Sequence, residues 1–112
     1  MSVATEVEVV ENALLGGRVR LRQPARGYRA GMDAALLAAA VAARPGERVV
    51  EAGCGAGAVL MQIAARRPGV RLVGLERDPA MAALARENAG LKGAGAEVVE
   101  GEVAAGFRAL GL

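Results

Sequence analysis

The seven residues Glu51-Ala-Gly-Cys-Gly-Ala-Gly57 constrain this chain more than any other stretch. Three glycines at alternate positions separate an apolar run, Arg48-Val-Val-Glu-Ala52, from a helix-forming one, Ala58 to Arg66. A strand that turns through glycines into a helix is how α/β sheets hold nucleotide-like ligands. Glycine lets the backbone approach the ligand closely, and the helix N-terminus faces it.

The pattern continues on both sides of the turn. Pro68-Gly69 ends the helix, and Arg71-Leu-Val-Gly-Leu-Glu76 reads as a second strand. Asp78-Pro79 then starts a helix, with Asp as N-cap and Pro at the first helical position. It runs to about Ala89, with Gly90 as its cap, and Ala96 to Glu100 is a third strand. Residues 101–112 read as a loop leading into the first turns of another helix. Strand-helix-strand-helix-strand predicts a parallel sheet with right-handed crossovers. Upstream, Val7 to Val10 and Arg18 to Arg22 flank Gly16-Gly17 and predict a small hairpin. Pro24 to Gly31 is a loop, and Met32 to Ala43 is a helix stopped by Pro45-Gly46. The expected fold class is α/β, a partial Rossmann-like fold of three parallel strands preceded by an N-terminal hairpin and helix. Residues 1–44 form the N-terminal part and 45–112 the ligand-binding part of one compact unit.

Composition narrows the chemistry. Histidine is absent and Cys54 is the lone cysteine among 112 residues. An imidazole base, a thiolate metal cluster and an internal disulfide are therefore excluded, no metal is expected, and a reducing cytoplasm is the expected compartment. No signal peptide or bilayer-length apolar run occurs, so no membrane partner is expected. With one Phe, one Tyr and no Trp, the core must be built from Ala, Val and Leu, which bury little area each.

The glycines fit two ligand registers. As G-x-G-x-x-[GA], Gly53, Gly55 and Ala58 match a dinucleotide site, with Glu76 at the next strand end for ribose hydroxyls. As E-x-G-x-G-x-G, Glu51, Gly53, Gly55 and Gly57 match the turn that holds S-adenosylmethionine (SAM). Charge separates the two. Glu51 ends the first strand beside the turn, where a dinucleotide places pyrophosphate and SAM places an ammonium and a sulfonium. Unit charges 4 Å apart interact by about 4 kcal/mol at a surface-like dielectric, so the sign favours the cationic ligand. Glu102, past the third strand, supplies a third strand-end acid able to accept an adenine amino group. An NAD-binding oxidoreductase fragment and a noncatalytic RNA-binding module stay open as alternatives.

The segment LLGGRVRLRQPARGYRAGMDAALLAAAV, followed by GERVVEAGCGAGA, resembles bacterial methyltransferases of the small-domain type. Within them it is most similar to tRNA adenine methyltransferases that modify a purine's exocyclic amine beside the anticodon. The resemblance runs from about Asn12 to Val103. It implies that Glu51, Gly53, Gly55 and Gly57 line the methionine end of SAM, with Glu76 on the ribose and Glu102 and Val103 flanking the adenine. Cys54 and Arg77 complete the cofactor-binding set, the Cys54 side chain packing beneath the turn. Tyr28, Arg29, Gly31 and Asp33 belong to the upstream motif expected over the cofactor mouth. Glu102 stands where the family usually has Asp, and Ala52 is smaller than the usual aliphatic residue. The family's Asn/Asp-Pro-Pro-Tyr/Phe acceptor motif does not occur, and the chain stops at Leu112 after three strands. The resemblance therefore leads us to expect the cofactor-binding front part of an enzyme, inactive alone.

Two partner expectations follow. Arg18, Arg20 and Arg22 share one strand face, with Arg26 and Tyr28 nearby. They form either a phosphate-binding stripe for RNA, tRNA in the first instance, or an ordinary solvated face. The first strand, Arg48 to Ala52, is expected to have a bare edge, which invites a homo-oligomer by strand pairing.

Overall fold

The computed structural model describes residues 8–26, 31–92 and 95–112. Strands β1 (Val9–Leu14) and β2 (Val19–Pro24) form an antiparallel hairpin, followed by helix α1 (Met32–Ala40). The alternation then runs β3 (Arg48–Ala52), α2 (Ala58–Arg66), β4 (Arg71–Glu76), α3 (Pro79–Lys92) and β5 (Glu97–Glu100). The last three strands make one parallel sheet in the order β3-β4-β5, with Val50 opposite Val73 and Gly74 opposite Val98. The expected α/β class is thus observed, hairpin included.

The hairpin is joined to the sheet layer through one core. In β2 the pattern is strictly alternating: Val19, Leu21 and Gln23 are buried while Arg20 is exposed. Val19 and Leu21 pack into the same cluster as Ala34 and Ala38 of α1, Leu60 and Ile63 of α2, Leu72 of β4 and Ala85 of α3. Helices α2 and α3 touch both the sheet and β2, so the hairpin lies against the helices that cover the sheet. Small side chains permit this. A Cβ on Gly57 would meet Ala85 at 3.7 Å, which is ordinary contact between helices held close.

Several boundaries differ from the sequence expectation, β2 among them, which runs through Pro24 instead of ending at Arg22. The first hairpin strand, Val9–Leu14, runs past the expected end at Val10, because Leu14 pairs with Val19 across a turn through left-handed Leu15, Gly16 and Gly17, while Val7 lies outside the described residues. Helix α1 ends at Ala40, where Val41 turns extended and packs on the core together with Ala43. Helix α3 continues through Gly90 to Lys92 instead of being capped there. Burial of Asn88 and Ala89 just before it outweighs the roughly 1 kcal/mol cost of glycine inside a helix.

The sheet order leaves β3 with one partner strand, β4. Its Arg48, Val50 and Ala52 are exposed, and Val50 keeps 36% of its surface. Residues 103–105 form a single 3-10 turn, and the Leu110 side chain packs close to Gly101. No helix among the described residues is long and apolar enough to cross a membrane, and no cluster of three or more His, Cys, Asp or Glu could hold a metal ion among them.

Candidate functional site

At the carboxyl end of β3 the chain turns through three left-handed glycines, Gly53 (φ 72°), Gly55 (φ 56°) and Gly57 (φ 95°). Residues with a Cβ are strained there, which explains the alternate glycines. The turn is pinned to the neighbouring strand. Gly53 N–H and Cys54 N–H both donate to the Leu75 carbonyl, at 2.7 and 3.0 Å. Glu76, the last residue of β4, accepts from Gly55 N–H through Oε1 and from Asp78 N–H through Oε2, both at 2.9 Å. One carboxylate thus ties the glycine turn to the start of α3. Asp78 caps that helix, its Oδ1 accepting from Ala80 N–H at 2.9 Å.

Two hollows meet at this point, with Gly53 and Glu76 common to both. The larger, about 570 Å³, is floored by Glu51 and the turn from Gly53 to Ala56. Its lining also takes in Leu21, Gln23 and Pro24 of the hairpin, Arg26 just past β2, and Ala34 of α1. The smaller, about 340 Å³, is bounded by Arg77, Gly101, Glu102 and Val103. A Cβ on Gly53 or Gly55 would meet no protein atom within 4 Å. Space beside both is open to a ligand.

Glu51 is the unusual group. Its Oε1 is buried and has no hydrogen-bond partner among the described residues. Burial, and then the negative charge of Glu76, raise its carboxyl from an ordinary 4.5 to about 7. An unpaired buried carboxylate is costly, so the site is complementary to a cationic donor. Cys54 faces the other way. Its side chain is buried beneath the turn against β4, where a Cβ on Gly74 would come within 2.7 Å of Sγ. Burial, then the charges of Glu51 and Glu76, push its thiol up to about 12, which removes it from nucleophilic chemistry.

The structure brings Glu51, Gly53, Cys54, Gly55, Glu76, Arg77, Glu102 and Val103 around the two hollows. Gly57 departs from expectation: it lines neither hollow, because it is buried against Ala85 as the N-cap of α2. Gly31 and Asp33 sit exposed at the start of α1 and likewise line neither, while Tyr28 and Arg29 fall outside the described residues. The arginine stripe is engaged within the chain. Arg18 Nη2 donates to the Ala65 carbonyl near the C-terminus of α2 at 2.7 Å, Arg20 pairs with Glu11 at 3.0 Å, and Arg22 pairs with Glu87. Arg26 belongs to the wall of the larger hollow.

Asn88 is the residue that sequence reasoning missed. It is fully buried, and its Nδ2 donates to the carbonyls of Arg22 and Ala56, each at 2.8 Å. Its Oδ1 accepts from Arg22 N–H at 2.9 Å. This one side chain holds the hairpin, the glycine turn and α3 together. The available signal was a poor helix former between Ala85 and Ala89 on the inward face of α3.

The chain matches the methyltransferase domain family over residues 49–108. No curated protein matches it. Among solved structures it is similar to a precorrin-6y C5,15-methyltransferase from Geobacter metallireducens (18% identity, TM-score 0.68, covering 79% of this chain and 47% of that one). It is also similar to a SAM-dependent methyltransferase from Thiobacillus denitrificans in complex with S-adenosylhomocysteine (25% identity, TM-score 0.57, 67% and 31%). TrmN from Thermus thermophilus is similar at 25% identity, with TM-score 0.54 and coverage of 69% and 23%. The chain therefore spans between about a quarter and a half of the length of these proteins.

Proposed function

The chain belongs to the methyltransferase domain family, and from that premise we propose that it is the SAM-binding part of a methyltransferase acting on RNA, with a tRNA adenine amine as acceptor. SAM supplies an electrophilic methyl carbon on its sulfonium. The carrying observation is Glu51 in the lining of the larger hollow, with one buried carboxylate oxygen, Oε1, that has no partner among the described residues. An amino-acid ammonium in that hollow would offset the cost of this partly buried carboxylate's charge. A pyrophosphate placed beside two carboxylates would be repelled, which disfavours the NAD reading.

The residues fit the group. Glu51 would take the ammonium, and the open faces of Gly53 and Gly55 leave room for the tail. Glu76 is held in place by two backbone N–H groups, and a carboxylate keeps lone pairs beyond these for ribose hydroxyls. Arg77, Glu102 and Val103 would flank the base in the smaller hollow. Titration calorimetry with S-adenosylhomocysteine and with NAD tests the assignment. We expect saturable binding of the first and none of the second, and the reverse result overturns it.

The RNA acceptor rests on the resemblance of the upstream segment. Arg20 supports it: its pair with Glu11 is exposed, and such pairs contribute about 0–1 kcal/mol, so a phosphate can displace the glutamate. Charge reversal of Arg20 and Arg22 should lower the salt dependence of binding to a tRNA transcript, whereas an unchanged slope removes the stripe. The sequence contains no Asn/Asp-Pro-Pro-Tyr/Phe run, and we expect no methyl transfer from this chain by itself. Incorporation of labelled methyl into tRNA would refute that. The single-partnered strand β3 supports self-association through Arg48–Ala52. A monomer in sedimentation at high concentration would count against it.

A further inference from the structure

Among the described residues, the larger hollow is lined by three acids, Glu51, Glu76 and Asp78, and by one cationic side chain, Arg26. Arg26 follows β2, is exposed, and lines the same hollow as the glycine turn. Unlike Arg18, Arg20 and Arg22, it makes no hydrogen bond or ion pair with the described residues. An α-amino acid group is a zwitterion. Acids alone would attract its ammonium and repel its carboxylate, so such a hollow needs one positive group in the wall. A guanidinium suits that task, because its fork of N–H donors matches a carboxylate's two oxygens.

We propose that Arg26 holds the carboxylate of the cofactor's amino-acid tail while Glu51 holds its ammonium, so that the site selects ligands with an intact α-amino acid group. The proposal rests on the SAM reading above and deepens it. Arg26 then serves the cofactor rather than an RNA stripe. The rival holder of that carboxylate is the first turn of α2, whose N-cap Gly57 supplies no side-chain cap to its N–H groups.

Calorimetry on the same chain separates these outcomes, using S-adenosylhomocysteine and 5′-methylthioadenosine, which lacks the amino-acid tail. Arg26→Gln should lower affinity for S-adenosylhomocysteine by about ten- to a hundredfold, the range expected for a charge-assisted bond, while leaving 5′-methylthioadenosine affinity unchanged. The unchanged second ligand also shows that the variant is folded. Arg26→Lys should restore part of the loss. Arg71→Gln, an equal change in net charge at the exposed end of β4 away from Glu76, should leave both affinities as they are. Equal S-adenosylhomocysteine affinity in wild type and Arg26→Gln overturns the proposal in favour of the helix terminus. An equal loss in Arg71→Gln overturns it in favour of general charge. Failure of the wild type to bind S-adenosylhomocysteine overturns the SAM reading and this inference with it.

Discussion

Glu51 makes the ligand-free protein lose stability as the pH rises. In the folded chain its carboxyl keeps a proton up to about pH 7, because burial and Glu76 disfavour the anion, whereas the unfolded chain releases it near 4.5. Between those values the native state binds more protons than the unfolded one. The slope of unfolding free energy against pH is therefore negative. The contribution is complete below about 4.5 and is lost as the pH passes through about 7. At 1.36 kcal/mol per pH unit, the full shift corresponds to about 3 kcal/mol. The site is partly open to water, and screening reduces this to about 1–2 kcal/mol. Urea unfolding of wild type and Glu51→Gln at pH 5 and pH 8 measures it. The wild type should lose about 1–2 kcal/mol more than the variant between the two conditions, since glutamine has the same shape and no proton to lose. S-Adenosylhomocysteine should reverse the trend: its ammonium favours ionised Glu51, so affinity should fall by up to about tenfold per pH unit below 7 and binding should release protons. Equal pH slopes in the two proteins would refute the reasoning, because the buried carboxyl would then not be the group that titrates.

Other perturbations probe the frame around the site. Asn88→Ala leaves an N–H and two carbonyls without partners beneath the turn, and should cost about 2–4 kcal/mol in a urea titration, with loss of S-adenosylhomocysteine binding. Gly74→Ala places a methyl 2.6 Å from Leu60 Cδ1 and 2.7 Å from Cys54 Sγ. It should destabilise by about 1–3 kcal/mol, and Cys54→Ala should recover part of this in a double-mutant cycle. Gly55→Ala meets no neighbour but must hold φ near 56°, so a loss of about 1–2 kcal/mol is expected in the same assay. Cys54 should react with a thiol reagent only as fast as the protein unfolds, which a stopped reaction at pH 8 will show.

Much of the site is legible along the chain because its parts follow local rules. Glu51, Glu76 and Glu102 each lie at or just past the end of an apolar strand, and parallel strands with helical crossovers align such ends on one edge. The alternate glycines announce a left-handed turn, and Asp78-Pro79 announces a helix start, from their own backbone preferences. The reach of α3 beyond Gly90 is not legible, since burial against the sheet and the hairpin overrides a glycine's propensity. Nor is the inward turn of Gly57, which depends on Ala85, twenty-eight positions away.

Local chemistry therefore decides the class, the strand-end acids and the glycine bend, because each depends on spacing within one strand-turn-helix unit. Tertiary packing decides the rest. It takes Arg18, Arg20 and Arg22 into internal contacts and leaves Arg26 on the wall of the larger hollow. It also makes Asn88 the staple of the turn and buries one oxygen of Glu51 without a partner among the described residues. Hydrogen-bond satisfaction and desolvation depend on neighbours brought together from distant positions, and residue order carries no direct record of them.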